Sequence, residues 1–220
     1  MKGAAGVLVV LVLVGCSHVD RDNSTSSAFK DSIPARQADL TRAPITKLDN
    51  RLVIVGDFNG DGKQDTLRES YISTLTNKEM PKALDSIDYM RNMDLTVKAQ
   101  PETRILSSIP GVDVFTVTDN FQQSGIGWFS NLGDLNDDGA DEFGYLVNWA
   151  DMSNLNTYVI MTIRKKRVEE LFAFPVNETM IFDQDDLIDG QYLLKKVGPK
   201  TIRYRFRSDS ATIETGTHRF

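Results

Sequence analysis

The sequence predicts a mainly β domain of short antiparallel strands over residues 47–220. Three observations carry that expectation. From Leu48 onward, short apolar runs alternate with clusters of Gly, Asn and Asp, the punctuation of strands and turns. Thr201 to Arg207 alternates strictly, with Ile202, Tyr204 and Phe206 on one face and Arg203, Arg205 and Arg207 on the other. Two acidic segments, 55–65 and 132–142, align without a gap, and strand-like runs flank both.

The N-terminus has a different character. Lys2 precedes an unbroken aliphatic run from Val7 to Val14. With Ala4, Ala5 and Gly6 the apolar stretch is about a dozen residues, short of the roughly 20 that a spanning helix needs. Residues 1–15 therefore read as a secretory signal segment. The run ends in Leu13-Val14-Gly15-Cys16, which resembles the bacterial lipobox. That resemblance implies cleavage before Cys16, lipid attachment to its thiol and a membrane held through the acyl chains. Two or three chains on one cysteine anchor stably where one is marginal. Ser17 differs from the aspartate that retains such proteins on the inner membrane. The implied location is thus the bacterial envelope, at the outer membrane, facing the periplasm or the surface. Residues 16–46 are rich in Ser, Asp, Asn, Thr and Arg, contain Pro34 and Pro44 and lack a clear apolar period, as a flexible tether does. A short helix over Ala35 to Leu40 is compatible with this pattern.

Within the domain the expected strands are Arg51 to Val55, Thr66 to Thr74, Asp94 to Ala99, Val112 to Thr118, Phe143 to Trp149, Tyr158 to Arg164, Val168 to Phe174 and Thr201 to Arg207. Tyr158 to Phe174 reads as a hairpin turning at Lys165-Lys166. A second hairpin turns at Ser208-Asp209-Ser210 into Ala211 to Glu214. Residues 77–93 read as a short helix near Lys82 to Tyr89 or as a long loop.

Composition narrows the function classes. Lys plus Arg is 25 and Asp plus Glu is 31, for a net charge of −6 over 220 residues. Loss of residues 1–15 removes Lys2 and no acid, giving 24 against 31, or −7. Such a balance argues against a nucleic-acid partner held by a broad basic surface. The one cysteine and two histidines, His18 and His218, exclude an internal disulfide and leave no Cys/His zinc cluster. No nucleophile elbow or phosphate loop is present.

The two acidic loops carry the chemistry. Asp57-Phe58-Asn59-Gly60-Asp61-Gly62-Lys63-Gln64-Asp65 and Asp134-Leu135-Asn136-Asp137-Asp138-Gly139-Ala140-Asp141-Glu142 place oxygen side chains at loop positions 1, 3, 5 and 9 and Gly at position 6. Calcium takes six to eight oxygen ligands, and alternate residues of a tightly curled loop can point at one centre. Asp57, Asn59, Asp61 and Asp65 form one candidate set, with the carbonyl of Lys63. Asp134, Asn136, Asp138 and Glu142 form the other, with the carbonyl of Ala140. Gly62 and Gly139 suit a positive φ at the reversal. Position 12 is Arg68 or Tyr145, so neither loop is an EF-hand. Both resemble the calcium loops of FG-GAP/VCBS repeats, found in integrin-type β-propellers and secreted bacterial proteins. That resemblance implies two calcium ions, one per loop, and a propeller-like or partial-propeller fold. The alternatives are another β-rich sandwich or an α+β fold. The loops begin 77 residues apart, wider than the spacing of about 40–60 typical of propeller repeats.

The expected function is a membrane-anchored envelope module whose two calcium loops are structural, with a protein or glycan partner and no catalytic residues. The alternative is a glycosidase-like hydrolase using carboxylates outside the loops, since such acids need no local motif. Asn148 to Asn156, which contains Trp149, reads as a polar connection with a core tryptophan, or as a sugar-stacking loop. Trp128 reads as core. The Arg203/Arg205/Arg207 stripe reads as a solvated strand face.

Overall fold

The structure is a computed structural model that describes residues 46–48, 50–84, 89–151, 153–178, 193–208 and 212–220. The chain divides between Thr41 and Arg42, and every described residue belongs to the second unit. The signal-like segment, Cys16, residues 17–45 of the tether and the Ala35 to Leu40 helix lie outside the described residues, as do Asp209, Ser210 and Ala211 of the last expected hairpin.

The described elements are β1 (Thr46–Leu48), β2 (Val53–Gly56), β3 (Asp65–Ser73), β4 (Lys78–Glu79), β5 (Lys82–Leu84), α1 (Tyr89–Ala99), β6 (Pro101–Ser107), β7 (Phe115–Thr118), β8 (Gln123–Gly133), β9 (Glu142–Trp149), β10 (Leu155–Arg164), β11 (Arg167–Asn177), β12 (Leu194–Gly198), β13 (Thr201–Arg207) and β14 (Ile213–Arg219). The fold is mainly β, as expected. Its sheets have the orders β1-β5, β2-β3-β6-β7 with β4 on β3, β11-β10-β9-β8, and β12-β13-β14. All pairings are antiparallel, and none of the sheets closes into a barrel.

Three sheets stack in layers with a core in each gap. Phe143, Tyr145 and Val147 of β9 pack with Leu67, Ile105, Ile126, Met161 and Ile163 in the first core. Leu146, from the other face of β9, joins Tyr158, Ile160, Phe174, Val176 and Ile202 in the second. The β8–β11 sheet is therefore covered on both sides. That explains why β9 reads as a nearly continuous apolar run and not as an alternation. Trp128 packs against the second core and Trp149 against the first, both partly buried.

The β10–β11 hairpin turns where expected. Arg164 pairs with Arg167, and Lys165 and Lys166 take φ of 49° and 66°. Two successive positive φ values are what a two-residue hairpin matched to strand twist requires. On β13 the predicted alternation holds: Ile202 is fully buried, Tyr204 and Phe206 pack against the second core, and Arg203 is exposed. Register places Lys195, Thr215, Thr217 and Arg219 on the arginine face.

Two expectations are corrected. Asp94 to Ala99 is the second half of α1, not a strand. Leu95, Val97 and Ala99 mimic a two-residue period, yet Val97 is exposed and Thr96 is buried. Lys98 pairs with Asp94 one turn back, at 3.5 Å. The helix stops at Gln100, with φ of 48°, followed by Pro101. Lys82–Leu84, expected in a short helix or a long loop, is strand β5 paired with β1.

Candidate metal-binding loops

Both loops join neighbouring antiparallel strands, β2 to β3 and β8 to β9. Their backbones repeat one another. Position 4 has positive φ in each, 72° at Gly60 and 57° at Asp137, and so has position 6, 79° at Gly62 and 90° at Gly139. The position-6 glycines thus adopt the conformation expected of them.

The side chains repeat the pattern too. Asp57 accepts from the N–H groups of Asp61 at 3.0 Å and Gly62 at 2.7 Å. Asp134 accepts from those of Asp138 at 3.2 Å and Gly139 at 3.0 Å. At position 5, Asp61 accepts from Lys63 N–H at 2.9 Å and Asp138 from Ala140 N–H at 3.1 Å. Asn59 accepts from Asp61 N–H at 2.9 Å. Position 2 anchors each curl: Phe58 is buried in the first core and Leu135 in the second. Position 9 opens the next strand and points inward, leaving Asp65 8% exposed and Glu142 fully buried.

Burial and the neighbouring Asp61 and Asp57 raise the Asp65 carboxyl above its usual range, against N–H groups of Phe58 and Asn59 that lower it. Glu142 is pushed up to about 7, chiefly by burial, with Asp138 adding and the Leu135 N–H opposing. Glu142 accepts from Leu135 N–H at 2.7 Å and from the Asn136 side-chain amide. Each loop thus holds an anionic group away from water where negative charge is costly.

The two loops differ in the cations around them. Arg164 reaches Asp138 at 2.9 Å. Lys196 donates to the Asp134 carbonyl at 2.6 Å and pairs with Asp137, whose carboxyl it holds below the usual range. Among the described residues, none of the ion pairs reaches Asp57, Asp61 or Asp65.

The donor set suits a hard divalent cation, since every side-chain candidate is a carboxylate or amide oxygen. Four buried side-chain polar atoms lack a partner among the described residues, and two of them are Asp65 Oδ2 and Asn136 Oδ1. These are position 9 of one loop and position 3 of the other. A buried acceptor without a donor costs about 1–3 kcal/mol, which a cation would offset. Among the described residues, no three His, Cys, Asp or Glu side chains converge as a ready cluster. The carboxylates instead cap the N–H groups of their own loops.

The loops also lie against each other. Asp57 N–H donates to Asp141 Oδ2 at 3.1 Å, and Asp141 N–H donates to the Asp57 carbonyl at 2.8 Å. The Asn131 amide, on β8, donates to Asp141 at 2.9 Å and to the Val55 carbonyl at 3.0 Å. Sequence reasoning missed this contact, along with Arg164, Lys196 and Asn131.

Outside the loops, three carboxylates each face a cation, while half-buried Glu178 accepts from the Asn156 amide. Glu69 meets Lys82 at 2.7 Å, Glu79 meets Arg51 at 3.2 Å, and Glu102 meets Arg104 at 2.6 Å. A surface recess of about 380 Å³ lies beside Trp149, with Asn120, Gln122, Asp151 and Asn156 in its wall. Asn156 is committed there, donating to Val147 and Glu178 at 2.7 Å each. Compared with protein-family models, curated proteins and solved structures, the chain has no significant match.

Proposed function

We propose that this chain is a lipid-anchored protein of the bacterial envelope. Its β domain is stiffened by two calcium ions, one per loop, to present fixed surfaces to a protein or glycan partner. The two strand–loop–strand units are, in this reading, FG-GAP/VCBS-type repeat units of a partial propeller. The observation that carries the calcium reading is the pair of unpartnered buried oxygens, Asp65 Oδ2 and Asn136 Oδ1, one at a predicted ligand position in each loop. The anchor reading rests on the lipobox-like Leu13 to Cys16.

Calcium, when bound, would supply the positive charge that the oxygen-rich acidic loops otherwise lack. The chain's own part is to hold Asp57, Asn59, Asp61 and Asp65, and Asp134, Asn136, Asp138 and Glu142, on curls pinned by Phe58 and Leu135. Thermal melting tests this. Calcium at 100 times its Kd stabilises by about 2.7 kcal/mol per site, about 5–10 °C for a domain of this size. EDTA should remove that gain, and Asp61→Ala with Asp138→Ala should abolish it. A melting temperature indifferent to calcium and EDTA would end the calcium reading.

A further inference from the structure

We propose that Asn131 and Asp141, neither of them a predicted ligand, are positioning residues that couple the two loops, so that filling one site tightens the other. This rests on the calcium reading above. Asp57 opens the first loop, and its N–H and carbonyl are both held by Asp141 of the second. Asp141 directly precedes Glu142, so a single peptide links the first loop's position 1 to the second loop's position 9. Asn131 locks the junction: its amide donates to Asp141 and to Val55, and its oxygen accepts from Gly133 N–H at 2.8 Å. Gly133 precedes the second loop as Gly56 precedes the first.

Glycine at those two places serves two ends. Gly133 has φ of 68° and open space around it, so it is there for its backbone. A Cβ on Gly56 would instead collide with the Asn131 amide and lie 2.6 Å from Asp141 Oδ2. Gly56 leaves room for the bridge. That a ligand belongs on each side of it is indicated independently by Asp65 and Asn136, each more than nine-tenths buried with an unpartnered oxygen.

Coupling between sites is reciprocal. An ion that orders residues 134–142 fixes Asp141, which fixes Asp57, and an ion in the first loop acts back along the same bonds. The usual range of such coupling spans about 5- to 150-fold in affinity. With the bridge made of four hydrogen bonds, we expect about 5- to 20-fold.

Calcium titration of the full chain in detergent by calorimetry tests this. Asp134→Ala should weaken binding at the first loop about 5- to 20-fold. That loss should shrink in an Asp141→Ala background, where only the backbone bond from Asp141 N–H to the Asp57 carbonyl still joins the two residues, and persist in full in Asp141→Asn, which keeps an acceptor for the Asp57 N–H. Should Asp141→Ala fail to fold, Asn131→Ala replaces it, with its calcium-free melting temperature recorded to separate coupling from stability. First-loop affinity unchanged by Asp134→Ala, or a loss undiminished in both bridge variants, overturns the coupling while leaving two independent sites. A wild-type chain that takes up no calcium overturns the metal reading itself.

Discussion

Lys82→Met should be among the most damaging single substitutions in the domain. Glu69 lies on β3 with its side chain fully buried, and Lys82, on β5, is 13% exposed, with its nitrogen 2.7 Å from Glu69 Oε1. The same oxygen accepts from Ile126 N–H at 2.7 Å, and Oε2 accepts from Leu52 N–H at 3.2 Å. Gly125 makes room for the pair, because a Cβ there would collide with both side chains. Removing the lysine leaves a buried carboxylate with two amide donors and no counter-charge. Breaking a buried ion pair from one side costs about 3–5 kcal/mol, or about 6–20 °C in melting temperature for a domain of this size. Replacing both partners by apolar residues should cost far less, since each partner's burial penalty leaves with it. Urea denaturation of wild type, Lys82→Met, Glu69→Leu and the double variant, followed by circular dichroism, gives the coupling energy directly. A Lys82→Met loss below about 1 kcal/mol, or a double variant as unstable as the sum of the singles, would refute the reasoning.

Two further outcomes follow from charges described above. Burial pushes the Glu79 carboxyl up, but the Ser70 hydroxyl, the Tyr71 N–H and Arg51 outweigh it and hold the group below its usual range. A lowered folded-state pKa contributes stability above the unfolded pKa, and that stability is lost as pH falls through the folded value. Glu79→Gln should therefore flatten the acid limb of stability against pH, and an unchanged limb would count against the role of Glu79. At the second loop Arg164 competes for Asp138, so Arg164→Gln should raise that loop's calcium affinity about 2- to 5-fold at low salt, in keeping with an exposed ion pair. Calorimetry showing equal or weaker binding would count against the competition.

The loops were legible because their information is local. Each Asp, Asn and Gly acts within nine residues, so spacing alone foretold the positive φ at Gly62 and Gly139. What joins the loops was not legible, because Asp57 and Asp141 are 84 residues apart and no pattern in either segment encodes the other. The β13 alternation and the Lys165-Lys166 turn were readable for the same local reason. Strand β8 was missed because Gly125 and Gly127 break its apolar pattern. Gly125 is there to seat the Glu69–Lys82 pair, a need set by two other strands. The misreading of Asp94 to Ala99 shows the limit of a six-residue window, in which helix and strand periods cannot be told apart.

The doubly covered β8–β11 sheet has a consequence for how the molecule opens. Its β9 amides are flanked by paired strands on both edges and by apolar layers above and below. Hydrogen exchange there must wait for global unfolding, whereas the outer β12–β14 layer can open while the first core stays intact. In the hairpin that carries the second loop, β9 is thus expected to be the slow-exchanging strand, while β8 forms the edge of its sheet. The first loop hangs on an outer sheet, and so its position is inherited from the hairpin it touches.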